Sequence, residues 1–80
     1  MNYNEVIDVL TELKALIRRT EQTHTREYAQ LVLMTRELKP EHRDWLIDVR
    51  DQALNQSAME WAVSLSNCIA AMADEDFFTK

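Results

Sequence analysis

The chain has no glycine and a single proline, Pro40, in 80 residues. Tight hairpin turns need backbone positions with φ > 0, and glycine is their usual occupant. Its absence argues against a sheet more firmly than any propensity sum. Cys68 is the only cysteine, so no internal disulfide can brace the fold. With Asn67 and Ile69 beside it and no local base, it reads as a small buried hydrophobe and not as a reactive thiol. No apolar stretch approaches the length of a membrane span, and Met1, Asn2, Tyr3, Asn4 and Glu5 lack the basic start of a signal peptide. These features point to a reducing, cytoplasmic setting and no membrane partner.

Motifs of catalysis are missing as well. There is no glycine-rich phosphate loop, no Ser/His/Asp set and no cysteine paired with a nearby base. The expectation is a non-enzymatic protein with no cofactor. Surplus positive charge is also absent. The net charge is −5, and residues 40–80 supply all of it, because residues 1–39 carry six basic and six acidic side chains. A duplex-binding protein needs a basic face, so direct binding to nucleic acid is disfavoured.

What is present is helical periodicity. Tyr3, Leu10, Ile17, His24, Leu31 and Leu38 recur at one position of a seven-residue register, and Val6, Leu13, Thr20, Glu27 and Met34 at the other. Ile7, Val9, Leu16, Tyr28 and Val32 widen the stripe. The register resumes in phase after the polar stretch around residues 20–27, which predicts one helix over about 3–38 with a polar layer in its seam, in preference to a break near residues 23–25. Pro40 predicts a turn at 38–40. Residues 41–73 then form one helix, or two with a break near 55–57, where Ser57 and Glu60 have the spacing of a capping box. Ile47, Leu54, Ala58, Trp61, Leu65, Cys68, Ile69 and Met72 mark one stripe, and Trp45, Leu46, Val49 and Ala53 a second arc. Residues 74–80 are a tail, with Phe77 and Phe78 either folded back or free to dock.

The fold class expected is therefore all-α, a single domain over 1–80 built as an antiparallel helical hairpin. Two arms cannot cover that much apolar surface, so the hairpin is expected to complete a four-helix bundle as a homodimer.

Three constellations are candidates for function. Glu41, Asp44, Asp48 and Asp51 are spaced to share one arc of a helix, and none has Lys or Arg three or four residues away. With Trp45 as an anchor they predict a docking ridge for a larger protein with a basic surface, such as one that receives nucleic-acid phosphates. The protein would then inhibit or regulate that partner. Arg18, Arg19 and Arg26, with Lys14 nearby and Tyr28 as a stacking surface, suggest instead an anionic, nucleotide-like ligand held between subunits. Glu21 and His24 have the E-x-x-H spacing of helical metal sites, but without partner ligands the motif is weak and a polar layer fits better. Trp61 is expected in the core and His42 on the surface.

Overall fold

The computed structural model describes residues 1–79 and is all-helical. Its four helices are α1 (Tyr3–Arg19), α2 (Arg26–Arg36), α3 (His42–Asn55) and α4 (Met59–Met72). α1 packs on α2 and α3 on α4, and contacts of α1 with α4 and of α2 with α3 close the ring. One core draws on all four: Val6, Leu10 and Leu13 from α1, Leu31 and Met34 from α2, Leu46 and Val49 from α3, and Leu65, Cys68, Ile69 and Met72 from α4.

Local chemistry starts α1. The Asn2 side chain accepts the Glu5 N–H at 2.9 Å while the Glu5 carboxylate accepts the Asn2 N–H at 3.0 Å, a reciprocal capping box. The helix expected to run through residue 38 instead stops at Arg19. Thr20 turns its hydroxyl onto the Ile17 carbonyl at 2.9 Å, and Thr25 caps α2 by accepting the Tyr28 N–H at 3.2 Å. Threonine side chains thus take over backbone groups that a continuous helix would use internally. The break lets α2 fold back on α1, where the Lys14 ammonium donates to the Thr35 hydroxyl at 3.1 Å. Periodicity did not reveal the break because both helices turn the same stripe toward the same core.

The two hairpins bend by one device. After α1, Glu21 adopts φ 59°, with Gln22 N–H bonded to Ile17 O and Glu21 N–H to Arg18 O, both at 3.2 Å. After α3, Ser57 adopts φ 58°, with Ala58 N–H on Ala53 O at 2.8 Å and Ser57 N–H on Leu54 O at 3.0 Å. These are paired Schellman closures in which glycine is the favoured residue and neither has it. The expected capping box at Ser57 does not form. Ser57 is consumed in ending α3, and Ala58 precedes α4 with no side-chain cap bond. The break also divides the apolar stripe drawn across it. Leu46 and Val49 are α3's core residues, while Leu54 is exposed.

Between α2 and α3, Leu38 plugs the core and its N–H donates to the Tyr3 hydroxyl at 2.8 Å. Residues 74–79 of the tail fold back, and Lys80 lies outside the described residues. Phe77 lies 6.1 Å from the Tyr3 ring and 4.8 Å, edge-on, from Phe78. Among the described residues no helix is long and apolar enough to cross a membrane.

Candidate functional site

α3 is amphipathic in a strict sense. His42, Leu46 and Val49 face the core, and a helix of 3.6 residues per turn places Glu41, Asp44, Asp48 and Asp51 on the side turned away from it. All four are exposed. Asp51 has the Arg50 guanidinium at 3.4 Å, an exposed pair of small energetic weight. Arg43, the other cation on α3, is turned inward, its Nε donating to the Ile69 carbonyl at 3.1 Å. The arc is therefore a ridge of carboxylates whose own helix does little to neutralise it.

Trp45 borders the ridge on its core side. It is half-buried and packs against the core, with its ring centroid 4.5 Å from that of His42. His42, expected on the surface, is buried, and its Nδ1 accepts the Lys39 N–H at 3.0 Å. Burial lowers its pKa from the ordinary 6.5, assisted by Lys39 and opposed by Glu41 and Glu37. This histidine therefore holds the turn at the start of the acidic ridge, and it holds it in the neutral form.

The basic residues do not converge on a pocket. Arg18, Arg19 and Arg26 are exposed around the 20–25 loop, and Tyr28 is half-buried. A cavity of about 230 Å³ opens at the same end of the bundle, and none of the four lines it. Its walls include Leu13, Ile17, Val49, Ala53 and Trp61, and Glu27 is its only charged lining residue. Trp61, expected in the core, is half-buried and packs against the core cluster while forming part of the cavity wall. Sequence reasoning missed this cavity because its walls come from segments far apart in the chain.

The Glu21 and His24 pair is not on a helix. Both residues are exposed in the loop, so they form neither a polar layer nor a metal-ligand face. Among the described residues no group of three or more His, Cys, Asp or Glu side chains is placed to hold a metal ion. No protein-family model, curated protein or solved structure matches the chain.

Proposed function

We propose that this is a small acidic, non-enzymatic protein-interaction module of the cytoplasm. It binds a basic surface on a larger partner through Glu41, Asp44, Asp48 and Asp51, with Trp45 at the flank, and acts as a homodimer. A surface shaped to receive nucleic-acid phosphates is the chemistry that such a ridge fits, so occupying it would inhibit or regulate the partner. The observation that carries the reading is the outward direction of four exposed carboxylates beside a single 3.4 Å ion pair. Charges so arranged steer association and make it sensitive to salt.

The test compares capture by immobilised wild-type protein and by a D44K/D48K variant from a lysate of the host, with each captured protein then titrated in purified form. Both positions are exposed, so the variant keeps its fold. A purified basic partner should bind the wild type, weaken as salt rises, and bind the variant at least about tenfold less tightly, a loss of about 1.4 kcal/mol. Equal affinity for the two proteins would remove the acidic-ridge reading.

The cavity favours a second reading, in which the chain holds a small ligand. At about 230 Å³ it is smaller than drug-sized pockets and suits a single ring or a short branched chain. With Glu27 as its only charged wall residue it suits a neutral or cationic molecule better than the nucleotide-like anion suggested by Arg18, Arg19 and Arg26. Thermal shift against matched aromatic amines and nucleotides separates these, since a ligand of the folded state raises the melting temperature.

A further inference from the structure

α4 is the least charged element of an acidic protein. Glu60 is the one ionisable carboxylate or cation among its 14 residues. Its inner face supplies Leu65, Cys68, Ile69 and Met72 to the core. Its outer face, however, is not the polar surface that a helix on a folded domain normally turns to water. Met59 is 58% exposed and Val63 is 61% exposed. Asn67, Ala70 and Ala73 are exposed along the same side, and Ser66 is partly so. The other helices are unlike it. α3 presents its carboxylates, α1 exposes Asp8, Glu12 and Arg19, and α2 sets the exposed Leu33 between Arg26 and Arg36.

We infer that two copies of the chain associate by antiparallel packing of α4 on α4, through Met59, Val63, Ser66, Asn67, Ala70 and Ala73. The occupant is a second copy for two reasons. On a chain of net charge −5, this is the helix face on which identical molecules can meet without setting rows of like charges together. The face is also complementary to itself. A two-fold axis passing between Ser66 and Asn67 places Val63 of one copy against Ala70 of the other, and sets Met59 at the level of Asp74, beside Ala73. Large side chains then meet small ones on both sides of the axis, as an isologous contact requires. Ser66 and Asn67 meet at the centre, where hydroxyl and amide can hydrogen-bond across the axis.

Charge remains at the ends. Glu60 of one copy lies near Asp74 of the other, and this repulsion is screened by salt. Self-association therefore strengthens as salt rises, while binding through the acidic ridge weakens. The two interactions are separable by the sign of one variable. This inference rests on the homodimer in the proposed function and is independent of the ridge.

Sedimentation equilibrium of the full chain, from about 10 μM to about 500 μM at low and high salt, should show the mass rising from 9.4 kDa toward twice that value, more steeply at high salt. V63E, at an exposed position, should weaken the dimer at least about tenfold without lowering the melting temperature measured at low concentration, where the chain is monomeric. N67C should form an intermolecular disulfide on mild oxidation, and D48C, on the α3 ridge, should not. A dimer unaffected by V63E, or cross-linked as readily through D48C as through N67C, would place the interface elsewhere and overturn this inference while leaving the homodimer. A chain that stays at 9.4 kDa throughout removes both.

Discussion

The imidazole of His42 lies against the indole of Trp45, their centroids 4.5 Å apart, and its Nδ1 accepts the Lys39 N–H at 3.0 Å. One buried side chain thus joins the turn after α2 to the first residues of α3. Nδ1 is an acceptor here, so the ring proton belongs on Nε2 and the neutral form is the one that fits.

This arrangement makes stability depend on pH. Burial lowers the folded-state pKa of His42 below the ordinary 6.5, so the unfolded chain takes up the proton first as the solution is acidified. The His42 contribution is fully present above pH 6.5, is lost as pH falls from there toward the lower folded value, and changes no further below it. Urea midpoints measured across this interval should fall for the wild type. H42N keeps an acceptor for the Lys39 N–H and has no titrating group, so its midpoints should be nearly flat over the same interval. A variant with the wild-type slope would assign the effect to another residue.

The left-handed positions make a second prediction. Glu21 at φ 59° and Ser57 at φ 58° carry a Cβ where glycine would have none. E21G and S57G should each stabilise the protein by about 0.5–1 kcal/mol, after allowance for the greater freedom of glycine in the unfolded chain. In a domain of this size that is a rise of about 2–8 °C in Tm. The sites lie in different hairpins, so the double variant should show nearly the sum. S57A keeps the Cβ and should show no gain.

A third prediction concerns the join between the first residue of α1 and the turn after α2. The Tyr3 hydroxyl accepts the Leu38 N–H at 2.8 Å, and Leu38 itself is buried. Y3F keeps the ring against Phe77 but leaves that N–H without its partner. Denaturant unfolding should report a loss of about 1–3 kcal/mol, the desolvation cost of an unpaired backbone donor. Hydrogen exchange at Leu38 should accelerate more than at Leu10 or Leu65. Uniform acceleration would mean that the bond has no local role.

The acidic ridge was readable from the chain because Glu41, Asp44, Asp48 and Asp51 obey a local rule, spacings of three and four on one helix. The turn near Pro40 followed from another, since the residue before proline avoids the helical region. What could not be read depended on contacts between distant segments. His42 is buried through the packing of Trp45 and the 37–41 turn, and the cavity brings together Leu13, Val49 and Trp61. The break after Arg19 lies between these cases. Thr25 caps α2 by accepting the Tyr28 N–H, but the apolar stripe keeps its phase from Ile17 to Leu31 and so carries no mark of the break. Phase records which way a residue faces, and a helix that doubles back on its neighbour still faces the core they share.

The fourth prediction uses Cys68 as a reporter. Its side chain is fully buried in the core, and burial pushes its thiol up to about 11. Only the thiolate is nucleophilic, so in the folded protein at pH 8 this residue is both inaccessible and almost wholly protonated. A thiol reagent should therefore leave the native chain unmodified over a short pulse and react in step with loss of the helical circular dichroism signal as urea rises. Because Cys68 packs with core residues from all four helices, the opening that exposes it should be global, with the same dependence on urea as the optical transition. Labelling with a markedly weaker dependence would instead show that α4 detaches alone. The core would then open first at its last helix, with α1, α2 and α3 still packed together.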